Sequence, residues 1–99
     1  MNSNKLIFNK NYFEEKIPPT FYDHSNRNDI CPSIYSRLLG IKIFIDSKNP
    51  EEREEPNYPR FSVYKTNEIG ETEEIAYETE VWQEILDFIE KLKQSGTGV

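Results

Sequence analysis

The residues that most constrain this chain are Val81, Ile85, Phe88, Ile89 and Leu92, spaced i, i+4, i+7, i+8 and i+11. On a helix of 3.6 residues per turn that spacing makes one continuous apolar stripe. It predicts a helix over residues 80–94, with Thr79 as N-cap, Glu80 at the positive start, and Lys91 and Lys93 toward the negative end. Trp82 and Leu86 fall at the edge of the stripe, where they widen the buried face or, for Trp82, offer an anchor to a partner. A stripe of this kind must be buried, and three segments with a period of two can receive it: Ile41/Ile43/Ile45, Phe61/Val63 and Ile75/Tyr77. The fold class is therefore α+β, a three- to four-stranded antiparallel sheet with the C-terminal helix across one face.

The segment 41–46 is the clearest strand, and 60–65 and 73–78 form a hairpin through a Gly-containing turn at 67–71. Before them, Pro32 opens a short helix whose face is Ile34, Tyr35, Leu38 and Leu39; Asp29 or Ser33 caps it and Gly40 ends it. Residues 47–59 read as an exposed, mobile connection, charged between Pro50 and Pro56. Residues 1–30 form an irregular arm, broken at Pro18-Pro19, and residues 31–99 the single domain. Tight burial in so short a chain is limited, which predicts modest stability.

Charge divides the chain. Of its 99 residues, the first fifty carry seven basic and five acidic groups, and the rest carry thirteen acidic and five basic, for a net charge of −6. An acidic surface repels phosphate backbones, so direct nucleic-acid binding is disfavoured, whereas a basic protein surface is attracted. No apolar run is long enough for a membrane span and no secretory leader is visible, which points to the cytoplasm.

Two stretches resemble a known family. Residues 32–44, Pro-Ser-Ile-Tyr-Ser-Arg-Leu-Leu-Gly-Ile-Lys-Ile-Phe, and Pro59-Arg60-Phe61-Ser62-Val63 with the following hairpin and helix are similar to the short bacterial domain-of-unknown-function family 4160. The likeness spans about residues 31–94, with one residue inserted before Gly40. It implies a small α+β fold and a context of toxin–antitoxin-like partners. The two histidines of the family's His-x-His motif fall on Arg60 and Ser62 here, so no role of theirs carries over.

Candidate chemistry is sparse. His24 is the sole histidine and Cys31 the sole cysteine. An imidazole beside Asp23, or near enough to Cys31 to activate a thiolate, would serve proton transfer or nucleophilic attack. A metal site would need further ligands; the acidic run lacks the alternating oxygen ligands and glycine of an EF-hand, and no phosphate-binding glycine loop is present. No cofactor or metal is expected.

Alternation places Phe44, Tyr64 and Ala76 on the sheet face away from the helix, with Lys42, Ser62, Glu74 and Glu78. Either the arm's Phe8, Tyr12, Phe13, Phe21 and Tyr22 pack there, or the mixture is an interface core with a polar rim. The expected function is a non-enzymatic protein-interaction module: an acidic inhibitor, antitoxin-like or anti-defence, docking on a basic partner. Its expected contact residues are Glu51, Glu52, Glu54, Glu55, Phe44, Tyr64, Glu74, Glu78 and Trp82. A small enzyme or ligand binder using His24 with Asp23 or Cys31, and an accessory subunit of a larger complex, remain open alternatives. The oligomeric state is not readable from sequence.

Overall fold

The computed structural model describes residues 13–24, 32–53 and 55–97. Five strands form one antiparallel sheet in sequence order: β1 (Tyr22–Asp23), β2 (Ser33–Ser36), β3 (Ile41–Ile45), β4 (Phe61–Thr66) and β5 (Thr72–Thr79). The helix α1 (Trp82–Thr97) follows directly, and a single 3₁₀ turn (Pro50–Glu52) interrupts the β3–β4 connection. The sheet is thus wider than the expected three or four strands.

The extra width comes from β1 and β2. The expected helix after Pro32 is instead a strand, with Ile34 opposite Ile43 and Ser36 opposite Ile41. Ile34, Ser36 and Ser33 are fully buried, whereas Leu38, which a helical face would bury, is 79% exposed. A segment this short satisfies either period, and pairing to β3 decides it. Gly40 does end the element, but in the tight β2–β3 turn. Its φ of +69° is a left-handed conformation that L side chains adopt at a cost.

The core lies between the sheet and α1. Ile34, Ile41, Ile43, Ile45, Phe61 and Val63 project from the sheet, and Trp82, Ile85 and Ile89 meet them from the helix. Each large apolar side chain removed from water stabilises by about 1.5–3 kcal/mol. Val81 lies just before the helix and is 48% exposed, so the stripe begins at Trp82. Thr79 does hold the helix start: its hydroxyl accepts the Val81 amide at 3.0 Å and donates to Glu84.

The arm belongs to this same core. Phe13 is buried edge-on to Trp82 (4.9 Å between ring centres) and Phe61, and Phe21 is buried beside them. These two rings therefore pack on the helix side of the sheet, not on the opposite face. Phe8 and Tyr12 lie outside the described residues.

One irregularity controls what the far face carries. Val63 pairs with Tyr77, but Tyr64 pairs with Ile75, leaving Ala76 as an extra residue on β5. This bulge inverts the alternation at Ile75, and a second register shift between Ile75 and Thr72 restores it. Tyr77 turns inward and stacks on Phe88 (5.3 Å, 6° between ring planes), while Ile75 turns outward and is 47% exposed. Ala76 is drawn against the core rather than outward. The expected pairing of Ile75 with Tyr77 on one face is thereby corrected.

Candidate interaction surface

Two surfaces emerge. The first is built on Arg53, in the middle of the acidic connection. Its side chain is 1% exposed and it spends its whole donor fork. Nε donates to the Ser47 carbonyl at 2.7 Å, and one terminal nitrogen to the Tyr58 carbonyl at 2.8 Å. The two terminal nitrogens take the Glu80 carboxylate as a pair, at 2.7 and 3.1 Å. Planar bidentate geometry of this kind is the strongest form of ion pair available to a carboxylate. The arginine holds the Glu80 carboxyl below the usual carboxylate range, chiefly by that hydrogen bond.

The described part of the connection is therefore anchored at Arg53. Arg53 ties both of its arms to the residue that leads into α1. Around that anchor, Ser47 donates to Glu52 at 2.9 Å, and the Asn49 side chain accepts the Glu51 amide at 3.0 Å and so caps the 3₁₀ turn. The side chains of Glu51, Glu52 and Glu55 are left exposed around a buried cation. Glu54 lies outside the described residues. Near the start of β5, Glu73 and Glu74 are exposed, with Lys65 near Glu74 at 3.4 Å.

At the start of α1, Glu84 accepts from Thr79 and from the Tyr77 hydroxyl at 3.0 Å. The Thr79 and Tyr77 hydrogen bonds hold the Glu84 carboxyl below its ordinary range, and the bond to Glu84 pushes the Tyr77 phenol up.

The second surface is the sheet face away from α1. Strand register sets Tyr22, Tyr35, Lys42, Tyr64 and Ile75 in one row, and Ser33, Phe44, Ser62 and Glu78 in the next. Phe44 and Tyr64 meet edge-on at 5.5 Å, and the Lys42 ammonium lies 5.1 Å from the Phe44 ring centre, a cation–π distance. Toward the β1 edge the face is closed: Tyr35 is buried beneath Tyr22, His24 and the hairpin turn at Gly70. Toward β5 it stays open at Ile75 and Glu78.

The expected contact residues are therefore divided. Phe44, Tyr64 and Glu78 share the open face; Glu51, Glu52 and Glu55 surround Arg53; Glu74 lies near the hairpin. Trp82 belongs to none of these. It is 9% exposed, wedged against Phe13 and Phe61, and serves the core in place of the anchor role left open for it. Arg53 was not singled out in the sequence. A lone arginine inside Glu-Glu-Arg-Glu-Glu reads as part of a solvated run, and its partner Glu80 is 27 residues away.

His24 is packed on Tyr35 at 4.9 Å between ring centres, and its backbone amide donates to Ser33. Cys31, and with it the expected His24–Cys31 pairing, lies outside the described residues. Among the described residues no three His, Cys, Asp or Glu side chains are placed to hold a metal ion, and no helix is long and apolar enough to cross a membrane. No protein-family model matches the chain, and no curated protein or solved structure matches it either.

Proposed function

We propose that this protein is a non-enzymatic interaction module that presents a fixed acidic end to a basic surface of another protein. The observation that carries the reading is the Arg53 anchor. A run of glutamates on a free loop would lose much of its attraction to the entropy of ordering. Held by five donor contacts from one buried guanidinium, Glu51, Glu52 and Glu55 are already in place before a partner arrives. Pre-organisation lowers the cost of association, and a concentrated negative field speeds encounter.

The partner class that matches this chemistry is a protein whose own basic surface binds nucleic acid. Covering that surface makes the module an inhibitor, antitoxin-like or anti-defence in kind.

The test is capture of partners by the full chain at about 50 and 500 mM salt, a range over which surface charge attraction is largely screened. A basic protein is recovered at low salt and lost at high salt, and adding the chain weakens that protein's hold on nucleic acid. Glu51→Lys with Glu55→Lys lowers the affinity at least tenfold. Binding that ignores both salt and charge reversal overturns the proposal.

A further inference from the structure

The open sheet face has a geometry of its own. Four residues mark its corners: Lys42 and Phe44 on β3, Ile75 and Glu78 on β5, with Tyr64 and Ser62 of β4 between them. Lys42 and Glu78 stand on opposite corners, as do Phe44 and Ile75. Ile75 and Glu78 share this face only because of the bulge at Ala76. With strands about 4.8 Å apart and a rise of about 3.4 Å per residue, Lys42 and Glu78 are separated by roughly 12 Å. That is too far for a pair within one chain, and no described residue forms an ion pair with either.

We infer that this face binds a second copy of the same chain. A two-fold axis lying in the face and perpendicular to the Lys42–Glu78 diagonal exchanges those two corners. Lys42 of each copy then meets Glu78 of the other, twice over. The remaining corners lie close to the axis, so Phe44 faces Phe44 and Ile75 faces Ile75, with Tyr64 at the centre. Opposite charges meet, apolar groups meet apolar groups, and the contact closes on itself as an isologous dimer requires. A basic partner would leave Lys42 facing like charge, so the occupant that satisfies every corner is this chain itself. The open patch is about three strands by five residues, roughly 14 by 17 Å, well below the area of a standard tight interface. The dimer is accordingly weak and forms at high concentration.

The charges supply the test, and all four residues are away from the helix-side core. Sedimentation equilibrium in 150 mM salt, carried up to about 1 mM chain because small interfaces are weak, follows the association. The unaltered chain shows a monomer–dimer equilibrium. Lys42→Glu and Glu78→Lys each weaken self-association at least tenfold, since each turns two attractive contacts into two repulsive ones. An equimolar mixture of those two variants forms the heterodimer, because every contact in it is again between opposite charges. The double variant Lys42→Glu/Glu78→Lys recovers the homodimer. Circular dichroism of each variant matches the parent, which separates lost association from lost folding. An unaltered chain that stays monomeric across the range means that another protein or another part of the chain covers the face, and overturns the inference. So does a dimer indifferent to either reversal, or single variants that fail to associate when mixed.

Discussion

Replacing Arg53 by alanine gives the sharpest check on how the acidic end is held. The variant loses two good carbonyl contacts, to Ser47 and Tyr58, a long one to Lys48 at 3.4 Å, and the paired contact to Glu80. Hydrogen bonds from a charged donor are worth about 1.5–3 kcal/mol each in favourable cases. Two discounts apply here. Glu80's side chain is 56% exposed, so its share is screened and falls to about 1 kcal/mol or less. Tyr58 and Lys48 are exposed as well, and their freed carbonyls regain water. About 1 kcal/mol for each of the two good carbonyl contacts, with the Glu80 share and lost packing of the aliphatic stem, gives about 3 kcal/mol in all. For a domain of this size that lowers Tm by roughly 12–24 °C.

Urea unfolding followed by the fluorescence of Trp82 measures it, since that buried indole is the chain's sole tryptophan. The ranking is as informative as the size. Glu80→Gln leaves the carbonyl contacts intact and costs about 1 kcal/mol or less. Arg53→Lys keeps the charge but cannot reproduce the fork, so it recovers less than half of the loss. An Arg53→Ala variant within about 0.5 kcal/mol of the parent, the range of an ordinary surface change, refutes the anchor. A Glu80→Gln variant as damaging as Arg53→Ala refutes the assignment of most of the strength to the carbonyls.

Other outcomes follow from the same contacts. Glu80 and Glu84 have carboxyls lowered on folding, so they contribute stability above the unfolded carboxylate pKa that is lost as pH falls through the folded values; Glu84→Gln flattens the acid limb of a stability–pH curve. Tyr77 has the opposite sign, because its phenol is raised while it donates to Glu84. Its contribution is present below the ordinary tyrosine value and fades above it, so Tyr77→Phe flattens the alkaline limb. Gly40→Ala costs about 1–2 kcal/mol in urea unfolding through its positive φ alone, as nothing lies within 4 Å of the added carbon, and Gly40→Asn costs less. Ile43→Ala, at a fully buried site, costs about 2–5 kcal/mol, whereas Ile75→Thr at micromolar concentration stays within about 0.5 kcal/mol. Equal losses at both sites would place Ile75 in the core and contradict the bulge.

What could be read from sequence was whatever a single period expresses. The stripe through Ile85, Phe88, Ile89 and Leu92 and the alternation of Ile41, Ile43 and Ile45 each specify an element without reference to anything distant. The turn at 67–71 was readable for a similar reason: Asn67's side chain accepts the amides of Ile69 and Glu71, a local closure that Asn favours. The failures share one cause. Residues 33–36 are too short for period to separate strand from helix, and only pairing to β3 settles them. The bulge at Ala76 breaks the very periodicity by which Ile75 was assigned inward. Arg53's role depends on an acid 27 residues away, and composition alone presents it as one more solvated charge. The site follows the same division: its acidic character was legible, but its fixed geometry was not.

The two proposed contacts respond to salt in opposite directions, which lets one titration examine both. Each chain carries −6, so bringing two together opposes like fields that extend about 10 Å in 0.1 M salt and shrink to about 3 Å in 1 M. Added salt relieves that repulsion. It also weakens the exposed Lys42–Glu78 pairs, but those are short, few and individually small, and the apolar contacts of Phe44, Tyr64 and Ile75 are not screened. Self-association through the open face therefore tightens as salt rises from about 50 to 500 mM, a range that spans most of this screening. Capture of a basic partner by Glu51, Glu52 and Glu55 has attraction where the dimer has repulsion, and it loosens over the same range. Lys42→Glu removes the first response and leaves the second, while Glu51→Lys with Glu55→Lys removes the second and, by cutting the net charge from −6 to about −2, also flattens the first. Should self-association weaken with salt as steeply as partner capture does, the pair at Lys42 and Glu78 would have to outweigh the whole −6 on each chain, and the apolar centre argued for the face would be wrong.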